Sequence, residues 1–251
     1  MNIVGSLTLF DKEIKRFFKV YLQTIVAPAF TSLLFLLVIN VAIEDRINYE
    51  FNYIDFLAPG LIIMGVMQNA FANTSSSLLS SKVAGNIVDL LMPPFNANEI
   101  IFVYCLAATI RGLLVGLLTF FLMFPFVNFE LLNIYKLVSF SILGSFLLAL
   151  IGLLAGIWAE KFDNMSAITN FIITPLTFLS GTFYTIDSLP EPFFTISLFN
   201  PFYYIIDGFR SAFESDINDD LVYGITYICM LNLILYLLSY FILKKGWMLK
   251  P

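Results

Sequence analysis

The sequence predicts an all-α integral membrane protein: six transmembrane helices preceded by an amphipathic helix lying in the membrane interface. Three observations predict it. The chain of 251 residues is 59% hydrophobic and 12% charged, with mean hydropathy +0.89. A soluble domain carries about 25% charged residues, so this chain lacks the polar surface to face water all round. Six apolar stretches approach the about 20 residues needed to cross the hydrocarbon core. The basic residues between them fall mostly on one side.

The elements follow in order. In residues 1–19, Phe10, Ile14, Phe17, Phe18 and, just beyond, Tyr21 recur at helical spacing, and Lys12, Lys15, Arg16 and Lys19 occupy the other face. This pattern describes a helix lying in the interface, apolar face down. A simple charged anchor before the first span is the plainer alternative. The six spans are residues 20–43, 56–79, 100–126, 138–158, 167–183 and 221–243. The first is too long for a signal-peptide core and has no small-residue cleavage site, so it is expected to be retained.

Spans two and three are joined by "SSKVAGNIVDLLMPPFNANEI", with the loop proper at 80–99. Asn86 suits a helix cap, and Pro93–Pro94 stop the helix after Met92. Val83, Ile87, Leu90 and Leu91 give this short helix an apolar side. It is either a grip for a cytoplasmic partner or a plain interfacial connector. Beyond span five, "FLSGTFYTIDSLPEPFF" is too aromatic for an ordinary loop, yet Gly181, Asp187, Pro190 and Pro192 break it. Two apolar segments too short to span flank these prolines and end at Asn200–Pro201. Irregular backbone at membrane depth is tolerated only where protein or water covers it. The alternative is an external amphipathic loop on the lipid surface.

An even span count puts both termini on one side. That side carries Lys12, Lys15, Arg16, Lys19, Lys82, Lys161, Lys244, Lys245 and Lys250, whereas the other carries Arg46, Lys136 and Arg210. Basic residues concentrate in the cytoplasm, so both termini are expected there. The acids lean the opposite way, with Glu44, Asp45, Asp216, Asp219 and Asp220 among those outside. The pI near 4.7 reflects these loops and argues against nucleic acid as a partner.

Several spans carry polar stripes. Span two has Asn69, Asn73, Ser76, Ser77 and Ser80 on one face; span five has Asn170, Thr174, Thr177 and Gly181; span one adds Thr24, Pro28 and Thr31. Polar groups facing lipid are costly, so these faces meet other helices or a water-accessible path. Interhelical hydrogen bonding suffices for any one of them; the stripes together suggest a translocation path. Ser145, Ala149, Gly152 and Gly156 form a small-residue face on span four that suits close helix packing. Arg111 is the one charge near a span centre, and its partner must be a carbonyl, a polar stripe or a distant acid.

Other chemistry is restricted. The chain has no histidine, which removes Ser-His and Cys-His catalysis and HExxH zinc sites. Its two cysteines, Cys105 and Cys229, lie in apolar runs without zinc-type spacing and read as packing residues. No GxxxxGK followed by Ser or Thr occurs, so the chain cannot cradle ATP phosphates in the P-loop manner.

"FLSGTFYTIDSLP" followed by "LFNPFYYIIDGFR" at 198–210 resembles the C-terminal signature of ABC-2 permeases, the membrane subunits of type-2 ABC exporters. The resemblance covers essentially the whole chain. One departure is Thr185, which follows Phe183–Tyr184 where the family often has proline. The resemblance implies one permease half in a bacterial cytoplasmic (inner) membrane, paired with a second copy or a paralogue. Two separate ATPase subunits would bring ATP and Mg, and this chain would hold no cofactor. Coupling would use Val83, Asn86, Ile87, Asp89, Leu90 and Leu91, with the N-terminal helix bracing the same ATPase. The path would take in Thr24, Thr31, Asn69, Asn73, Ser76, Asn170, Thr174 and Thr177. Residues 186–210 would form a re-entrant hairpin near the outer leaflet, with Phe183, Tyr184, Pro190, Phe202 and Tyr203 as an exit gate. The expected substrate is amphipathic or hydrophobic: a lipid, a drug or a lipid-linked glycan. An ion-coupled carrier or channel is the first rival and an intramembrane enzyme the second, although the spans lack a carboxylate pair.

Overall fold

The computed structural model describes residues 2–44, 53–213 and 220–246. Arg46, Asp45, Asp216, Asp219 and Lys250, used in the charge count, lie outside the described residues. Among the described residues every regular element is helical. They are α1 (Ile3–Phe18), α2 (Ala27–Glu44), α3 (Tyr53–Val83), α4 (Ile87–Leu91), α5 (Ala97–Met123), α6 (Ile134–Trp158), α7 (Phe162–Ile168), α8 (Thr174–Phe178), α9 (Glu191–Leu198), α10 (Pro201–Arg210) and α11 (Asp220–Lys245).

Five helices are long and apolar enough to cross a membrane: Leu22–Ala42, Tyr53–Val83, Ala97–Met123, Ile134–Trp158 and Val222–Lys245. The remaining expected span, 167–183, is not among them. It is built from α7, a π-turn at Thr169–Ile173 and α8, of seven, five and five residues in unbroken succession. This helix is about 25 Å long, at the short limit of a crossing. It closes at Phe178, before position 183, because Leu179 leaves helical geometry and Gly181 takes φ +73.

A second π-turn, Leu22–Val26, opens the first span. Both π-turns end two residues before a proline, Pro28 or Pro175. The proline ring has no N–H and crowds the carbonyl four residues back, and a π-turn absorbs that mismatch. The first span and the helix at 162–178 are therefore irregular by the same local cause.

The core centres on α3, which lies between α5 and α6. The small face expected on span four is what permits this. At Gly152 a Cβ would run into Thr74 Oγ1 and the Phe71 carbonyl, and Thr74 donates to the Ala149 carbonyl at 2.9 Å. Gly112 does the same for α5, since a Cβ there would stand 2.6 Å from the Val66 carbonyl. Cys105 is fully buried in this core, whereas Cys229 is exposed on α11, so only the first packs inside the chain.

The N-terminal helix is capped by Asn2, whose side chain accepts from the Gly5 amide at 3.0 Å. Its buried line is Leu9, Glu13 and Phe17, whereas Phe18 and Tyr21 are exposed. The face that meets the bundle therefore includes an acid that the apolar pattern passes over.

Between the fifth and sixth expected spans, the prolines start helices rather than merely breaking them. Pro192 lies in the first turn of α9 and Pro201 opens α10, where a missing N–H costs nothing. Asn200 caps α10 by accepting from the Phe202 amide at 3.1 Å, and donates to the Leu176 carbonyl at 2.7 Å. Phe202, Ile205, Ile206 and Phe209 then anchor α10 in the core.

Candidate transport path and partner surface

The polar face of α3 is the centre of the candidate site. At one end of the bundle, α1, α4, the start of α5 and the end of α11 gather: the Asn2 amide donates to Glu99 at 2.7 Å, and Tyr236 donates to Asn98 at 3.0 Å. From this end α1 sends Glu13 and Arg16 onto α3. Arg16 Nη2 donates to the Asn73 carbonyl at 2.8 Å and to Asn73 Oδ1 at 2.9 Å, and its Nη1 donates to Ser76 Oγ at 3.3 Å. Arg16 Nε pairs with Glu13 Oε2 at 3.2 Å, while Glu13 Oε1 accepts from Ser77 Oγ at 2.9 Å. Glu13 is 1% exposed.

One helical turn further along α3, Arg111 of α5 donates from Nη2 to Asn69 Oδ1 at 3.1 Å and from Nε to the Thr24 carbonyl at 3.4 Å. Pro28 has no N–H to offer that carbonyl, which leaves it open to Arg111. The partners expected for Arg111, a carbonyl and a polar stripe, are both present.

The expected path residues fall into two groups. Asn69, Asn73, Ser76 and the Thr24 backbone gather around the two arginines. Thr31, Asn170, Thr174 and Thr177 do not join them. Thr31 is exposed and bonds its own Ala27 carbonyl at 2.9 Å; Asn170 is exposed; Thr174 is half-buried. Thr177 is buried and donates to the Ile173 and Thr174 carbonyls.

At the opposite end, an open apolar groove of about 620 Å³ is lined by Phe35, Ile39, Pro175, Phe178, Leu179, Phe183 and Tyr184. Phe183 stacks on Phe178 with ring centroids 5.3 Å apart, and Tyr53 donates to the Phe183 carbonyl at 2.7 Å. Of the expected gate residues, Phe183 and Tyr184 line this groove. Pro190 is exposed at the start of α9, Tyr203 is half-buried on α10, and Phe202 is buried in the core.

The expected coupling helix is α4, one turn long. Asn86 stands at its cap position without a side-chain capping bond. Its φ −85, ψ 5 follow the left-handed Gly85 and depart from the extended geometry a capping asparagine needs. Ile87 and Leu90 face the bundle, 3% and 4% exposed, whereas Val83, Asn86, Val88, Asp89 and Met92 are exposed. Leu91 is helical, and its side chain lies outside the described part of the structure. A cleft of about 660 Å³ lies beside α4, lined in part by Leu90, Pro93, Phe95, Tyr240 and Lys244.

A family model for the ABC-2 type transporter matches residues 6–213. The chain belongs to this family. It is 36% identical over 246 residues to the inner membrane transport permease YadH of Escherichia coli K12, covering 97% of this chain and 96% of that protein. The YadH permeases of E. coli O157:H7 and Shigella flexneri match to the same extent. The chain is thus a multi-pass ABC-2 transport permease.

Within this ABC-2 permease, three residues carry more of the site than the sequence pattern assigns them. Arg16 reads as part of the charged face of the N-terminal helix, and no periodicity signal marks Glu13. Arg210 ends α10, with its guanidinium 3.7 Å above the Phe56 ring; it donates to the Phe56 carbonyl at 3.2 Å and the Gly181 carbonyl at 3.1 Å. It ties α10 to the start of α3 and to the turn after α8. Its place at the end of the "NPFYYIIDGFR" signature is the available sequence cue.

Proposed function

We propose that this ABC-2 permease is the membrane half of an ATP-driven exporter. The observation that carries the reading is the uneven covering of the bundle. Helix α3 is sealed on both flanks, yet α2 and the helix at 162–178 leave Phe30, Leu34, Phe35, Phe171 and Ile172 exposed beside the polar Thr31 and Asn170. Polar groups on a lipid-facing surface are costly. A second permease copy, or a paralogue, set against this flank would cover them and enclose the path. Residues 162–178 then serve as the sixth crossing, and 186–210 as the re-entrant hairpin near the outer leaflet.

In this reading both termini are cytoplasmic, as the basic residues favour. The inner membrane named for the E. coli relative is the proposed location. Two separate ATPase subunits, supplying ATP and Mg, dock below at α4, which offers Val83, Asn86, Val88, Asp89 and Met92, with Ile87 and Leu90 holding it to the bundle. ATP binding and hydrolysis shift the paired halves between conformations of differing access. The polar stripes line the way in and the groove at Phe183–Tyr184 the way out, for an amphipathic or hydrophobic substrate such as a lipid, a drug or a lipid-linked glycan.

The path is tested with the complex of this permease and the ATPase that co-purifies with it. Asn73→Leu and Thr177→Leu should lower ATP-dependent export into everted membrane vesicles while complex assembly stays intact. Full export by both variants would return these residues to helix packing alone.

A further inference from the structure

We propose that Arg16 and Arg111 form a recognition site for a phosphate-bearing, anionic group on the transported molecule. The inference rests on reading the polar face of α3 as part of the path, and it adds the charge of the substrate.

Two helices deliver these arginines to successive turns of one face. Asn69 and Asn73 are four residues apart on α3, a rise of about 6 Å. Each orients one guanidinium through its amide oxygen, Asn69 for Arg111 and Asn73 for Arg16. The carboxylate bonded in this network is Glu13, and it is spent: one oxygen accepts from Arg16 and the other from Ser77. Glu13 is 1% exposed, whereas the Arg16 side chain keeps 31% exposure. The three groups therefore carry a net positive charge, and it is the positive member that remains open to whatever enters.

Donors also outnumber acceptors. A guanidinium has five N–H groups and no acceptor. Arg111 commits Nε–H and one Nη2 hydrogen to the protein; Arg16 commits Nε–H, both Nη2 hydrogens and one on Nη1. The Asn73 amide nitrogen is buried without a partner. An unmet buried donor is costly, and a group with several acceptor oxygens relieves it. A phosphate monoester or diester offers such oxygens in the fork geometry that arginine favours. A cationic group would meet the two guanidiniums with the carboxylate sealed behind them.

The test uses the purified full-length permease in phosphatidylcholine nanodiscs doped with phosphatidylglycerol, with retained lipid counted by native mass spectrometry. High salt during exchange screens attraction to the exposed lysines of α1. Wild type should retain phosphatidylglycerol over phosphatidylcholine, and R111M should reduce that preference by about tenfold, the loss of one charge-assisted contact. R16Q, at a partly exposed position, serves if R111M fails to fold, and R111K, which keeps the charge but not the fork, should fall between wild type and R111M. Added sn-glycerol 3-phosphate distinguishes the source: no displacement assigns the site to a lipid head group, displacement to a soluble phosphate. No preference in wild type, or a preference unchanged in both R111M and R16Q, overturns the proposal. If the preference is absent while Asn73→Leu still lowers export, the anion site fails and the path stands. If R111M loses the preference but exports normally, the site stands and its place on the path fails.

Discussion

Removing the Glu13 carboxylate should undock the N-terminal helix from the bundle. Glu13 is 1% exposed, with Arg16 Nε at 3.2 Å and Ser77 Oγ at 2.9 Å. Breaking a fully buried pair by deleting one partner costs about 3–5 kcal/mol. Here Arg16 is 31% exposed and keeps its bonds to Asn73 and Ser76, so solvent and those acceptors recover part of the loss. About 1–3 kcal/mol remains. At about 2 kcal/mol, the equilibrium for opening α1 shifts by about thirtyfold. Hydrogen exchange of the α1 amides, measured on the permease in nanodiscs, reads that opening directly. Glu13→Gln keeps the volume and should speed exchange by roughly this factor, with exchange in α6 unchanged. Glu13→Ala should do at least as much. Wild-type exchange rates across α1 in both variants would refute the claim that this carboxylate holds the helix.

Three further outcomes follow from the packing. Gly112→Ala and Gly152→Ala place a methyl group against backbone carbonyls of α3, and each should lower stability by about 1–3 kcal/mol in a detergent thermal melt. The two faces of α4 should separate: Met92→Asp or Val88→Asp should abolish ATPase retention without changing the melt, whereas Leu90→Ala should cost about 2–5 kcal/mol of permease stability. Arg210→Gln removes two carbonyl contacts and a cation over Phe56, a loss of about 2–4 kcal/mol that should appear as faster proteolysis in the turn at 179–190.

The crossings with strong apolar runs were legible because hydropathy alone decides them: the expected spans at 56–79, 100–126 and 138–158 sit on α3, α5 and α6. The small face on α6 was legible for the same kind of reason, since a run of Ser, Ala and Gly at helical spacing has few other uses. The boundaries of the fifth span were not. Hydropathy carries it on to Phe183, while the backbone turns at Leu179 through the left-handed Gly181. The site was half legible. Asn69 and Asn73 stand out as polar groups in an apolar helix. What they bind comes from α1 and α5, and a pattern along one helix says nothing about what a second brings to it. Glu13 illustrates the difficulty: it lies among basic residues on a helix that reads as solvated on that side, and tertiary docking buries it.

If this ABC-2 permease works with a separate ATPase, the two should be recovered together. The most direct measurement purifies the tagged permease from its native membrane under mild detergent and determines the mass and ATP hydrolysis of what is recovered. The expected result is two permease copies, or one copy with a paralogue, bound to two P-loop ATPase subunits with hydrolytic activity, and loss of those subunits in Met92→Asp. An intact permease recovered with no ATPase, able to drive transport from an ion gradient alone, would contradict it.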